Sequence, residues 1–481
     1  MSYAEKILIM DKKLFFIAFP VIFTANIYLL DFNTTVLAIP AMADEFDLSL
    51  KLASWIILSA SIVMTAFLMP IGKISDLLSR KFFYVLSLVI YLIGMILASY
   101  SNNVYFLIFF KTIAAVGTVG SSIMMFVVIT STFPKKYQGL GLSIITTSVA
   151  FGMMVSPFIA GLLLENYGWR FAYKLIFFIG LFTVLMTLIF VPKLEKPIVD
   201  KKSFDIKGMI YFMVIMTLFV FIINDPFSFG FFSFIHILQI ITFLLLIFLF
   251  YIHENKTTEP ILNFSNYKKP LYLWGSISRT LGFAGFSILI FINPIFLQKV
   301  IGLSESSTGT ILFYSGTGTV IASAISGRLS DKFGHRIFTI SGMILSFIAN
   351  MSLSFLANNF NLQLFTLFMF INGFGIGLWM APNMSAVLSS VNINQYGSVS
   401  AYLNLLRNVG MAFGQSLAAT ILVLFIASNS FNIQLSEINS ESPQEVLTLF
   451  INGWRTTLII SSIIILISVF ASYKTNERLE K

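Results

Sequence analysis

Four ionisable side chains lie where charge is costly. Asp31, Lys111, Arg279 and Arg407 each fall inside a long apolar stretch, and an ionised residue in a membrane helix costs about 2.5–3.5 kcal/mol on insertion scales. Of 21 acidic residues, Asp31 alone is well inside such a stretch. Desolvation disfavours the ionised form of a carboxyl group, the property a proton carrier needs, so Asp31 is the candidate proton-coupling residue. The competing reading is a permanent ion pair of Asp31 with Lys111 or Arg407. Tyr28, Phe32 and Asn33 are expected beside Asp31 as contacts for a small-molecule cargo, and Lys111, Arg279 and Arg407 as its cationic lining.

Other chemistries find no support. The chain has no cysteine and three scattered histidines (His236, His253, His335), so no metal centre, thiol nucleophile or cofactor is expected. The glycine- and threonine-rich segment 315–319 lies in an apolar stretch and lacks the lysine of a phosphate loop. An ATP-driven pump is therefore disfavoured.

The elements that must position these residues follow from composition. The chain has 481 residues, 57% hydrophobic and 11% charged, with a mean hydropathy of +0.90. Soluble domains average about 45–50% apolar and about 25% charged residues, so a soluble enzyme is excluded and an all-α membrane protein remains. A membrane helix needs about 20 mostly apolar residues. Fourteen stretches qualify: roughly 14–40, 52–72, 82–100, 104–133, 138–164, 170–191, 206–224, 230–252, 271–297, 307–327, 337–357, 361–388, 397–427 and 450–473. The first is too long for a secretory signal, whose apolar region runs about 7–15 residues, so an uncleaved first helix is expected.

Lysine and arginine set the orientation. With the N-terminus inside, Lys12, Lys13, Lys73, Arg80, Lys81, Lys135, Lys136, the cluster in 193–207 and Arg328, Lys332, Arg336 and Lys474 are cytoplasmic. The outer loop 428–449 then holds Glu437, Glu441 and Glu445 and no base. Both termini are expected in the cytoplasm, the chain being multi-pass in the cytoplasmic (inner) membrane. The net charge of +9 reads as this topology signal, not as a nucleic-acid surface.

The chain also repeats itself. Gly72, Ser75, Asp76 and the base at 81 recur as Gly327, Ser330, Asp331 and Arg336 at an offset of 255. Gly117, Gly139 and Gly152 recur as Gly375, Gly397 and Gly410 at 258. Gly168-Trp169-Arg170 recurs as Gly453-Trp454-Arg455. Two six-helix halves, 1–192 and 270–481, are expected, with a linker and an inserted helix pair in 193–269. In the repeated turns, with Arg80 and Arg336 as the closing bases, glycine is expected to let backbones approach. The aspartate is expected to face a helix N-terminus, worth about 0.3–1 kcal/mol, as a gating clasp. A plain solvated turn is the alternative.

These segments resemble the signatures of the major facilitator superfamily and its fourteen-helix drug:proton antiporter branch. The repeated turn is similar to G-x-L-x-D-x-x-G-R-K. Leu30-Asp31 through Ala38 and Pro40 resemble the first-helix signature L-D-x-T-V-V-N-V-A-L-P. Gly152, Pro157 and Gly161 lie in a segment similar to the fifth-helix antiporter motif ending G-P-x-x-G-G. Lys111 and Gly117 stand where R-x-x-Q-G-x-G belongs, with lysine for its arginine. The resemblance implies the major facilitator fold and proton-coupled export of small amphipathic compounds, as in multidrug or antibiotic efflux, by a monomer working by alternating access. It implies a role for Gly152, Pro157 and Gly161 in preventing leak. An uptake symporter for a small anionic or zwitterionic nutrient is the alternative function. Protons, the small-molecule cargo and the lipid bilayer are the expected partners.

Overall fold

The computed structural model describes residues 3–75, 78–134, 137–193, 205–225, 230, 233–257, 264–356, 360–392, 395–427 and 434–475; side chains are described within these ranges except at 3–13, 73, 139, 331, 397, 398 and 427. Among the described residues every regular element is helical. The α-helices are α1 (Tyr3–Phe46), α2 (Leu50–Ala66), α3 (Leu68–Ser75), α4 (Arg80–Ser99), α5 (Val104–Thr132), α6 (Gln138–Phe190), α7 (Ile206–Asn224) and α8 (Phe234–Glu254). They continue as α9 (Pro270–Ile295), α10 (Glu305–Phe333), α11 (His335–Phe355), α12 (Leu362–Ser389), α13 (Tyr396–Ala427) and α14 (Gln444–Lys474). Short polar residues start many of them: the side chains of Ser49, Asn103, Asp205, Ser233, Ser304 and Asn361 each accept from a backbone amide of the following turn, satisfying donors that a helix start leaves open.

This is a multi-pass membrane protein. Among the described residues eleven helices are long and apolar enough to cross a bilayer. Two expected stretches differ. The stretch 52–72 divides at Phe67 into α2, of 17 residues, and α3. The stretch 307–327 lies in α10, whose glycine, serine and threonine keep its hydropathy low. The stretches 138–164 and 170–191 are the two arms of α6, divided where Gly168 adopts φ 74°, a left-handed conformation that glycine takes without strain.

The helices pack in two groups. In the first, α1 packs on α6 and α5, α4 on α5 and α6, and α2 on α5; in the second, α9 packs on α13, α14 and α12, α10 on α12, and α11 on α12 and α14. Between the groups α6 meets α10 and α2 meets α13. The repeat is visible in this packing. A Cβ on Gly117 would come within 2.5 Å of Ser87 O on α4, and one on Gly375 within 2.5 Å of Gly342 O on α11. Gly152 likewise abuts Asn26 on α1, and Gly410 abuts Thr280 on α9. The repeated tryptophans do matching work: Trp169 Nε1 donates to Glu45 on α1 (2.8 Å) and Trp454 Nε1 to Asn293 on α9 (3.0 Å). Gly453, unlike Gly168, stays helical inside α14.

Of the remaining pair, α7 lies against the α2–α13 seam and α8 packs on α7. Asn224 Nδ2 donates to Ser416 Oγ (2.5 Å), and Trp55 meets Phe221 edge-on. Much of α8 carries exposed leucine, isoleucine and phenylalanine, as a lipid-facing helix would.

Candidate functional site

On α1, positions 28, 31 and 35 share one face, since helical neighbours recur at three and four residues. That face points into the first group. Lys111 Nζ, on α5, donates to Asp31 Oδ1 at 2.5 Å and to Thr35 Oγ1 at 3.0 Å. Thr35 Oγ1 is also 2.9 Å from the Tyr173 hydroxyl on the second arm of α6, and the ammonium stands 4.8 Å from the Tyr173 ring centre. The Tyr28 hydroxyl is hydrogen-bonded to Ser121, and its ring meets Tyr91 edge-on at 4.8 Å. Asp31 is 8% exposed and Lys111 4%. The carboxylate thus faces neither lipid nor open water: it is paired inside the first group and enclosed by tyrosines.

Asn33 does not join it. A different face of α1 carries Asn26 and Asn33 toward the first arm of α6, where they donate to Ser148 Oγ (2.7 Å) and Ser156 Oγ (2.8 Å). Thr35 occupies the place beside the carboxylate expected for Asn33. Phe32 is half-buried in the core of the first group. Thr35, Tyr91 and Tyr173 were missing from the sequence expectation. Only Thr35 carried a readable signal, lying one turn from Asp31.

Arg279 and Arg407 stand apart from this pair, in the second group. Arg279 Nε donates to Leu403 O on α13 at 2.8 Å, and its guanidinium lies 5.2 Å from the Phe283 ring centre. Arg407 follows Leu403 by one turn of α13 and is within electrostatic reach of Arg279. Arg407 is therefore not the counter-ion of Asp31.

Gly152, Pro157 and Gly161 line the first arm of α6. A Cβ on Gly161 would come within 2.5 Å of Glu305 O, and Gly309 packs equally closely on Pro157 O. Pro157 and Gly161 thus belong to the α6–α10 contact between the groups, whereas Gly152 faces α1. At the end of the bundle away from the termini, more contacts join the groups. Lys299 pairs with Asp44; Gln298 Nε2 donates to Leu37 O (3.0 Å), Leu435 N to Leu48 O (3.0 Å) and Ser306 N to Glu165 Oε2 (3.1 Å). Nearer the middle, Ser61 donates to Gln415 (3.0 Å) and Asn408 to Met64 O (3.3 Å).

The repeated turns are less compact than expected. A Cβ on Gly327 would meet nothing within 4 Å, and one on Gly72 only Ile123 at 3.8 Å, so neither glycine serves a close backbone approach. Asp76 and the side chain of Asp331 lie outside the described residues. Arg80 Nη1 donates to Ser131 Oγ (2.6 Å), and Arg336 stands over the Tyr473 ring at 4.5 Å. Both bases thus bind within their own helix group.

Comparison with known proteins agrees with this architecture. The family profile described as Major Facilitator Superfamily matches residues 21–415 and 275–481. A riboflavin transporter of Clostridioides difficile is 27% identical over 390 residues, 80% of this chain and 83% of that protein. Multidrug resistance protein 3 of Bacillus subtilis is 26% identical over 371 residues, 76% of this chain and 72% of that protein. Among solved structures, a bacterial homologue of the human lysosomal transporter Spinster, inward-facing and unoccupied, superposes with a TM-score of 0.71 at 15% identity over 97% of both chains. That likeness is one of fold.

Proposed function

The chain belongs to the major facilitator superfamily, secondary transporters rather than enzymes, and from that premise we propose that it is a proton-coupled exporter of small amphipathic compounds, as in multidrug efflux. We read the first group as one six-helix half and the second as the other, with α7 and α8 inserted between them, making fourteen passes when α2 with α3 counts as one and α6 as two. The positive-inside bias supports cytoplasmic termini. On that orientation the contacts around Lys299–Asp44 and Gly161–Glu305 close the outer end, and this is an inward-facing form.

The observation that carries the coupling is the buried Asp31–Lys111 pair. While ionised, Asp31 ties α1 to α5 and, through Thr35, to the second arm of α6. A proton on the carboxylate removes the attraction and leaves the ammonium uncompensated in a medium that penalises it. The helices around it must then rearrange, and that rearrangement is what couples protonation to tilting of the halves. A membrane potential adds about 2.3 kcal/mol per charge per 100 mV. With Asp31 the one carboxylate well inside an apolar stretch of the sequence, a dicationic cargo is not expected. The multidrug resistance relative supports the direction of transport.

The test is uptake by vesicles holding the purified chain, under an imposed pH gradient and across a panel of compounds. The parent should accumulate amphipathic compounds only with the gradient, and Asp31→Asn should lose that dependence. Gradient-driven accumulation by Asp31→Asn would refute the proposal.

A further inference from the structure

The second group contains buried charge that no described residue neutralises by an ion pair. Arg279 is 4% exposed, and its Nη1 and the Nε of Arg407 are buried atoms without a hydrogen-bond partner. Neither arginine forms a salt bridge among the described residues. Two like charges on adjoining helices repel, and a buried guanidinium without a partner is strongly unfavourable. Such an arrangement is tolerated where a ligand completes it.

The helix registers show where the ligand would lie. On α9, Gly275 and Gly282 touch α12, at Val387 and Trp379, while Ala284 and Ser287 touch α13. Arg279 and Phe283 fall on the strip between, over the gap separating α12 from α13. On α13, Leu403, Gly410 and Gly414 form the face on α9, and Asn408 and Gln415 the face on α2. Arg407 lies between those faces and, unlike Arg279, is partly exposed. Arg279 is nine residues into α9 and Arg407 eleven into α13, about 14–17 Å along each helix at ~1.5 Å per residue. That is beyond the reach of headgroups at the membrane surface. Met380 and Met411, partly buried against the Phe283 cluster, offer apolar, polarisable surface in the same region.

We propose that Arg279 and Arg407 form an anion-recognition site, and that the transported compounds carry a negative group, a carboxylate, sulfonate or phosphate ester, on an apolar body. The guanidinium fork suits such groups because it donates two parallel hydrogen bonds to one anion. This rests on the reading of the chain as a transporter of amphipathic compounds and names the charge they bear.

The test is equilibrium binding to the full chain in phosphatidylcholine nanodiscs, comparing naphthaleneacetate with its uncharged amide. No gradient is present, so a failure here leaves proton coupling at Asp31 untouched, and a failure of proton coupling leaves this result untouched. The acid should bind at least tenfold tighter than the amide. Arg279→Gln and Arg407→Gln should each erase most of that preference, an unchanged size-exclusion profile reporting that the variant is folded. Should either glutamine variant fail to fold, Arg279→Lys and Arg407→Lys keep the charge and lose the fork, and should cut the preference by a smaller factor. The proposal is overturned by equal binding of acid and amide, by no binding of either, or by a preference that survives both substitutions. It is also overturned if phosphatidylglycerol in the nanodisc abolishes the preference, since the occupant would then be a lipid.

Discussion

In the first helix group the carboxylate of Asp31 and the ammonium of Lys111 are 2.5 Å apart, tied to Thr35 and walled in by Tyr28, Tyr91 and Tyr173. In the second, Arg279 rests on a backbone carbonyl and the face of Phe283, with Arg407 one turn from that carbonyl. The two groups repeat each other in glycine contacts and in their tryptophan pins, yet among the described residues buried charge is neutralised in one and left without a counter-ion in the other. Under the proposed mechanism the neutralised pair, turned toward its own group's core, is the element that responds to a proton, because protonation is the change that unbalances it. The arginines over the gap between α12 and α13 are, in the proposed anion site, the element that responds to a ligand's charge. On the proposed reading, the likeness of the two groups serves the tilting motion, and the difference separates driving force from cargo.

The largest expected effect tests that asymmetry directly. Asp31→Asn strands the Lys111 ammonium, and removing one partner of a buried pair costs about 3–5 kcal/mol. It should appear as a large drop in thermal midpoint of the purified protein. Asp31→Asn combined with Lys111→Met removes both charges and should recover most of that stability without restoring gradient-driven transport. Arg279→Gln should move stability by only about 1 kcal/mol, because a hydrogen bond is lost while an uncompensated charge is relieved. Equal costs for Asp31→Asn and Arg279→Gln would erase the distinction between the groups.

Next in size is the contact through which the groups meet. Gly161→Leu places a side chain where even a Cβ comes within 2.5 Å of Glu305 O, a backbone atom that cannot yield without moving α10. Transport should fall to background while membrane abundance stays near that of the parent, because the misfit lies between the groups and not within either. Gly327→Ala is the matched control: nothing lies within 4 Å of its Cβ, and transport should be unchanged within twofold.

Much of this arrangement was legible in the chain because hydrophobic runs and glycine spacing are local signals. The offset linking Gly117 to Gly375 and Gly152 to Gly410 marks equivalent helix contacts, α4–α5 with α11–α12 and α1–α6 with α9–α13. The repeat also shows α10 to be a counterpart of the apolar helices, although its glycine, serine and threonine lower its hydropathy. Pairing was not legible. Lys111 and Arg407 were equal candidates as the counter-ion of Asp31, and only the packing of α5 against α1 decides for Lys111. Asn33 was expected beside Asp31 because the two are close in the chain, but two residues along a helix is more than half a turn, which carries Asn33 to α6. The turn glycines at 72 and 327 misled for a different reason: a glycine in a repeated motif does not by itself reveal whether a neighbour presses on it.

The smallest expected effect concerns the closed end away from the termini, the outer end on the proposed orientation. Lys299 belongs to the second group and Asp44 to the first, so their ion pair exists only while that end is shut. The Asp44 side chain is 52% exposed, and half-solvated pairs contribute about 0–1 kcal/mol. Asp44→Asn should therefore leave thermal stability nearly unchanged and shift the balance of states by a few-fold at most. Because the chain has no cysteine, Ser306→Cys supplies a single thiol at the contact with Glu165. A membrane-impermeant maleimide applied from outside should label it two- to fivefold faster when Asp44→Asn is also present. High salt should speed labelling of the parent but hardly that of the Asp44→Asn protein, since screening and substitution weaken the same attraction. Salt should leave the Asp31–Lys111 pair untouched, being buried, so gradient-driven transport would respond to ionic strength only through the outer end. Equal labelling rates with and without Asp44→Asn would mean that Gly161, Gly309 and the backbone bond from Leu435 to Leu48 hold that end shut without help from charge.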